Sequence, residues 1–122
     1  MADAPGVVWI PWYATVLRQE AFADAVVQVA PLVLRYGATQ YSVHRSRDDQ
    51  YKITQMAWFL RKGDWYRYWD GPELREFRAR NAGRYQIPVV YVWHDELTAG
   101  ALGPEIGLAA VPEPELVPPA VA

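Results

Sequence analysis

A cation and an amide lie beside an apolar stripe on one predicted helical segment. Leu74, Phe77 and Asn81 recur at intervals of three and four residues, so they share one helical face, and Arg78 lies next to it. If this face points into a cavity, we expect Arg78 to bind a carboxylate or phenolate group of a ligand and Asn81 to hydrogen-bond a carbonyl group of that ligand. The alternative is that Arg78 lays its stem along the stripe and keeps its guanidinium in water.

Proton transfer at neutral pH would fall to His44 or His94, because imidazole is the side chain that ordinarily exchanges a proton near that pH. His94 begins the run His94–Glu96, for which a solvated strand end is the simpler interpretation. His44 shares a predicted strand face with Gln40 and Ser42. That face is either a polar pocket wall or a solvent face, and we take His44 as the candidate base.

The six tryptophans offer flat apolar surface and an indole N–H that usually needs a partner when buried. Trp65 and Trp69 lie four residues apart and either pack a helix onto the sheet or form the wall of a ligand cavity. The other four are divided between the core and the opposite sheet face: Trp9, Trp12, Trp58 and Trp93. The candidate ligand-binding residues are Trp58, Trp65, Trp69 and Phe77.

Composition narrows the classes of function. The absence of cysteine excludes disulfides, thiolate catalysis and zinc–thiolate sites, and two histidines with scattered carboxylates lead us to expect no metal. The formal net charge of −2 argues against a nucleic-acid partner, although all twelve lysines and arginines lie between Arg18 and Arg84. Neither a membrane span nor a secretory signal is evident, so we expect no membrane association and a cytoplasmic location.

Two segments, Val7–Leu17 and Ile87–Trp93, are predicted strands that are apolar on both faces. In the first, the two faces carry Val8, Ile10, Trp12, Ala14 and Val16 on one side and Val7, Trp9, Tyr13 and Leu17 on the other. A strand of this kind must be packed against other elements on both of its faces. Pro88 opens the second of them, where its missing N–H is best tolerated.

Between these strands, a recurrence at intervals of four, three and four residues predicts an amphipathic helix: Phe22, Val26, Val29 and Val33. Pro31 predicts a kink or break in that helix, and Gly37 predicts its left-handed end. A hairpin follows, formed by the predicted strands Ala38–Ser46 and Tyr51–Leu60.

A second helical region follows the hairpin. Asp64 is its predicted N-cap, and Gly71–Pro72 interrupts the region before a further helical piece that Gly83 closes.

The element order predicts an α+β chain with the ferredoxin-like βαββαβ arrangement, an antiparallel four-stranded sheet with two helices on one face. His44 and His94 then lie on opposite sheet edges and can face each other only across a dimer. Two helices leave the other sheet face bare, so we expect a homodimer or a higher homo-oligomer through that face.

The segment KGDWYRYWDGPEL, residues 62–74, together with the doubly apolar strands and the element order, resembles the dimeric α+β barrel superfamily and specifically its antibiotic biosynthesis monooxygenase-like group. The resemblance covers Val7 to about Glu96. Haem-degrading members carry an iron-binding histidine on the second helix, and the stretch Asp64–Gly83 has none. The resemblance therefore implies no cofactor. Cofactor-free members bind a phenolic or enolic substrate whose own carbanion reduces oxygen.

The chain divides at residue 96 into a domain, residues 1–96, and a tail, residues 97–122, with five prolines and neither an aromatic nor a basic residue. The tail is either an extended acidic segment or a docking segment that uses the apolar residues of Leu97–Val111 on a neighbouring subunit or another protein.

Three hypotheses for function remain open. The first is a cofactor-independent monooxygenase-like enzyme acting on a small aromatic or polyketide-like substrate in an apolar cavity between helices and sheet. Its base would be His44, its anion holders Arg78 and Asn81, and its walls Trp58, Trp65 and Trp69. The second is a non-catalytic binder of a small apolar molecule, and the third is a structural or accessory subunit that assembles through the sheet face and the tail.

Overall fold

The computed structural model describes residues 4–102, which form a four-stranded antiparallel sheet with helices on one face. The strands are β1 (Gly6–Tyr13), β2 (Ala38–Arg45), β3 (Lys52–Phe59) and β4 (Val92–Asp95), in the spatial order β2-β3-β1-β4. The helices are α1 (Gln19–Val29), a 3₁₀ helix (Ala30–Tyr36), α2 (Lys62–Trp69) and α3 (Pro72–Arg80). The predicted α+β, ferredoxin-like arrangement is confirmed.

Alternation along β1 separates the two sheet faces as predicted. Val8, Ile10 and Trp12 are fully buried beneath the helices. Trp9, on the opposite face, is 46% exposed. We call this opposite side the open sheet face; its main apolar residues are Val7, Trp9, Met56, Trp58 and Val92.

The first helix breaks where proline predicts. α1 ends at Val29, and the chain continues as a 3₁₀ helix with Pro31 in its first turn. Proline lacks the N–H that an α-helix would need there, and its fixed φ suits the start of a new helix. Gly37 then ends the 3₁₀ helix at φ 98°, in the left-handed conformation.

Gly37→Ala is expected to lower the free energy of unfolding by about 1–2 kcal/mol, because left-handed backbone disfavours an L side chain. A Cβ atom at Gly37 would also stand 2.6 Å from Oδ2 of Asp64. Urea denaturation measures the change. Gly63→Ala is the matched control: it lies in α2 with open space around it, so it should raise stability by roughly 0.5 kcal/mol. Equal effects of the two substitutions would contradict the prediction.

The second helical region is split in two, and its start differs from the prediction. Asp64 is not the N-cap: α2 begins at Lys62, because the chain is still extended at Arg61. Asp64 instead lies in the first helical turn, where its carboxylate interacts favourably with the helix dipole. It also accepts a hydrogen bond from Arg67 at 2.9 Å. The region breaks at Gly71, and α3 begins with Pro72 as predicted.

The terminal strands are shorter than predicted. β1 ends at Tyr13 rather than Leu17, and β4 begins at Val92 rather than Ile87. Residues 84–86 instead join the end of β1: the N–H of Gln86 donates to the Tyr13 carbonyl at 2.8 Å, and Tyr85 forms an isolated bridge with Ala14. This attachment and Pro88 keep the segment out of the edge ladder. Val90, predicted inside the last strand, is 63% exposed.

Candidate functional site

Aromatic rings fill the space between the helices and β1. Trp12 lies at the centre, with ring centroids 5.5 Å from Phe77, 5.6 Å from Trp69 and 5.1 Å from Tyr85. A second group adjoins it, in which Trp65 lies 5.3 Å from Trp69 and 4.9 Å from Tyr91. We call these six residues the inner cluster: Trp12, Trp65, Trp69, Phe77, Tyr85 and Tyr91.

Arg78 closes one side of the inner cluster. Its guanidinium carbon lies 4.4 Å from the Trp69 ring centroid, and Nη1 donates to the Trp69 backbone carbonyl at 2.7 Å. The guanidinium therefore stacks on an aromatic face, as arginine commonly does. Burial raises the pKa of the Tyr85 phenol, and the charge of Arg78 offsets part of that rise. A partly exposed cation thus borders a partly exposed phenol at the edge of the cluster.

Trp65 carries an unsatisfied donor. The side chain is fully buried, and its indole Nε1 has no acceptor among residues 4–102. Its ring neighbours are Phe59, Tyr68, Trp69 and Tyr91. A buried N–H without a partner costs about 1–3 kcal/mol, so this atom needs an explanation.

A chain of buried hydrogen bonds lies next to Trp65. Trp12 Nε1 donates to Gln55 Oε1, Gln55 Nε2 donates to the Tyr68 hydroxyl, and that hydroxyl donates to the Val29 carbonyl, each at 3.0 Å. Burial strongly raises the pKa of the Tyr68 phenol, which therefore remains a neutral donor. We did not predict Gln55 or Tyr68 as part of this region; the available signal was a glutamine at an inward position of β3.

Asn81 lies at the C-terminal end of α3 and is buried, with only 3% of its surface exposed. Its Nδ2 donates to the Phe77 carbonyl at 2.9 Å, and its Oδ1 accepts from Arg84 at 3.4 Å. With one edge of Phe77 it borders an open groove of about 450 Å³ between α1 and α3. Arg78 does not border this groove, so the structure does not bring Asn81 and Arg78 to one cavity.

Carboxylates are prominent in this outer groove. Asp24 lies on the α1 side, and Glu73 and Glu76 lie on the α3 side. Glu73 accepts a hydrogen bond of 2.5 Å from the Tyr36 hydroxyl, which lowers the pKa of Glu73 and raises that of Tyr36. Two arginines, Arg80 and Arg84, balance part of this charge.

His44 lies on the other side of the sheet. It is exposed on the open sheet face, with Nε2 2.9 Å from Ser42 Oγ. Trp58 shares this face, because it pairs with Gln40 and Val7 in the ladders. The sheet therefore separates His44 and Trp58 from Arg78, and the site we predicted is not assembled within one protomer. His94 also points to the open face, where its ring is tilted by 44° against that of Trp9 with a centroid distance of 4.7 Å.

Within residues 4–102, no group of three or more histidine, aspartate or glutamate side chains is placed to hold a metal ion. No helix in the same part of the chain is long and apolar enough to cross a membrane.

The fold is shared with solved structures described as antibiotic biosynthesis monooxygenases and as a cofactor-independent oxygenase. A proposed antibiotic biosynthesis monooxygenase from Nitrosomonas europaea superposes with a TM-score of 0.70 and 16% identity, over 80% of this chain and 94% of that one. A second such protein, from Bordetella bronchiseptica, gives a TM-score of 0.67 and 15% identity over 78% and 99% of the two chains.

A variant of SnoaB, a cofactor-independent oxygenase from Streptomyces nogalater, matches with a TM-score of 0.62 and 16% identity, over 85% of this chain and all of that one. Comparison with protein-family models and with curated proteins gave no match. At these identities the likeness establishes the shared fold.

Proposed function

We propose that this protein is a cofactor-independent monooxygenase-like enzyme that binds a small aromatic or polyketide-like substrate at the inner cluster. The observation that carries the proposal is the buried Nε1 of Trp65, which has no acceptor among the described residues. A substrate carbonyl or phenolate oxygen would satisfy it. Because aromatic rings fill this space, binding requires Trp69 and Tyr91, the partly exposed neighbours of Trp65, to move aside. The shared fold with a cofactor-independent oxygenase supports the same class of activity.

Arg78 supplies the second recognition element. An aromatic substrate beside Trp69 would meet a guanidinium that already lies 4.4 Å from that ring. A nearby cation favours the anionic form of an enol or phenol and so lowers its pKa. Arg78 would thus hold the substrate anion, and the proton would pass to water. The open-face position of His44 removes it from this role within one protomer.

Anthrone illustrates the chemistry of the proposed substrate class. Its ring CH₂ loses a proton to give an enolate, which reduces dioxygen while a carbon–oxygen bond forms. Protonation gives a hydroperoxide, and loss of water leaves the second carbonyl of anthraquinone. The balance is anthrone plus O₂ to anthraquinone plus water, so the substrate itself supplies the electrons.

Arg78→Ala is expected to weaken anthraquinone binding by about 10- to 150-fold, because a charge-assisted hydrogen bond contributes on the order of 1.5–3 kcal/mol. Quenching of tryptophan fluorescence measures binding, and an oxygen electrode measures turnover of anthrone. Arg75→Ala is the matched control on the exposed side of α3. Equal affinities of the two variants would contradict the assigned role of Arg78. A fall in melting temperature with unchanged affinity would make Arg78 a packing residue.

A non-catalytic binder is the second candidate, and the separation of His44 from Arg78 favours it. A binder needs the walls and the donors but no base. Saturable anthraquinone binding without oxygen uptake above the rate in buffer would support the binder. Uptake that depends on both Arg78 and Trp65 would support the enzyme.

We propose further that the working unit is a homodimer joined through the open sheet face. Trp9 and Val92 are each 46% exposed on this face, beside partly exposed Met56 and Trp58. Contiguous apolar surface of this kind is typical of protein interfaces. A two-fold dimer would pair each sheet with its own copy and cover this surface.

A further inference from the structure

Three large apolar side chains stand almost fully exposed at one end of the sheet. Val16 is 76% exposed, Leu17 is 83% exposed, and Ile87 is 80% exposed. They lie on two loops, one after β1 and one after α3. We call these three residues the loop patch.

The two loops are held together, so the loop patch is a fixed surface. The N–H of Thr15 donates to the Arg84 carbonyl at 3.0 Å, and the Thr15 hydroxyl donates to the Gly83 carbonyl at 2.8 Å. Leu17 has a φ of 66°, a left-handed backbone conformation that residues other than glycine, asparagine and aspartate rarely adopt. A strained backbone that presents leucine to solvent indicates a function outside the core.

Charge at this end of the sheet is positive. The ladder register places the end of β2 and the start of β3 beside the end of β1. Five basic residues lie in this region against three acidic ones: Arg18, Arg45, Arg47, Lys52 and Arg84 against Glu20, Asp48 and Asp49. The loop patch thus combines exposed apolar side chains with a positive surrounding, which suits an apolar partner with negative charge.

Residues 103–122 of the same chain, most of the predicted tail, lie outside the described residues and have this composition. They contain three glutamates, no lysine or arginine, and apolar side chains that include Ile106, Leu108 and Leu116. The described chain leaves the opposite end of the sheet, since Asp95 of β4 pairs with Gly6. The distance back along β1 is about 23 Å at 3.3 Å per residue, whereas twenty extended residues span up to about 70 Å.

We infer that residues 103–122 dock on the loop patch of their own molecule. The other two surfaces fit an acidic segment less well. The outer groove between α1 and α3 carries three carboxylates against two arginines. The open sheet face carries few charged side chains, and the proposed dimer covers it.

Paramagnetic relaxation in the full-length protein tests this contact. The chain has no cysteine, so Val117→Cys provides a single site for a nitroxide label. The amide signals of residues 15–18 and 84–87 should lose most of their intensity, and high salt should restore part of it. The amide signals of Val27 on α1 and of Trp58 on the open sheet face should keep their intensity. A label at Gly100→Cys is the control for broadening near the end of β4.

A second variant distinguishes a specific contact with the loop patch from a non-specific collapse of the tail onto the domain. Ile87→Ser in the labelled chain should restore the signals of residues 15–18, because the apolar contact is lost while the fold remains. Unchanged intensity at the loop patch, or loss at the groove or the open sheet face instead, would overturn the inference. So would broadening seen only when labelled and isotope-enriched chains are different molecules, which would assign the contact to a second copy.

Discussion

Replacement of Trp9 by aspartate is expected to convert the proposed homodimer into monomers. Trp9 lies near the middle of β1 on the open sheet face, and nearly half of its surface is exposed in a single protomer. In a two-fold interface each copy would bury one carboxylate. An unpaired buried charge costs about 3–5 kcal/mol, and the interface would contain two of them.

Sedimentation equilibrium over the micromolar range measures this change. The wild-type chain should sediment as a dimer and Trp9→Asp as a monomer with an intact fold. Val27→Asp is the matched control, because Val27 is 57% exposed but lies on α1, on the helical side of the sheet. A wild-type chain that is monomeric throughout would refute the dimer. Dissociation by Val27→Asp alone would place the interface on the helices.

Tyr68→Phe is expected to lower the free energy of unfolding by about 2–4 kcal/mol, because it leaves two buried groups without partners. The Tyr68 hydroxyl accepts from Gln55 and donates to the Val29 carbonyl, each at 3.0 Å. Tyr68 is fully buried, so water cannot replace the lost oxygen without entering the core.

Tyr66→Phe provides the comparison for this loss, since Tyr66 lies two residues away in the same helix and is 41% exposed. It should change stability by no more than about 0.5 kcal/mol, as surface substitutions usually do. Urea denaturation of both variants at one pH gives the difference. A similar small effect of Tyr68→Phe would mean that the Gln55 and Val29 groups find other partners.

The sequence predicted the fold well because its strongest signals are local. Alternation along β1 identified the buried face of Val8, Ile10 and Trp12. Pro31 and Gly37 located the break and the end of the first helical region. Errors arose at the ends of elements: tertiary hydrogen bonds to the end of β1, together with Pro88, removed Ile87–Tyr91 from the last strand.

The candidate site was predicted less completely, because side-chain roles depend on which elements meet. The sequence analysis named Trp65, Trp69 and Arg78. In the structure, Trp69 contacts both Trp65 and the Arg78 guanidinium. Periodicity alone could not show that His44 points to the opposite side of the sheet from Arg78. Nor could it show that the buried amide of Asn81 caps α3 by donating to the Phe77 carbonyl. Tyr85 and Tyr91 were not predicted as site residues. Tyr85 lies outside every predicted element, and Tyr91 was assigned to the predicted strand Ile87–Trp93, whereas both lie on an irregular segment in the structure.

The position of β1 at the centre of the sheet bears on how the chain is made. β1 is synthesised first, but it pairs with β3 and with β4, where Gly6 meets Asp95, 89 residues later in the sequence. On the ribosome, Trp9 and Trp12 therefore emerge long before their partners, and the sheet can close only after β4 has left the exit tunnel. Such long-range pairing slows folding and leaves apolar surface exposed meanwhile.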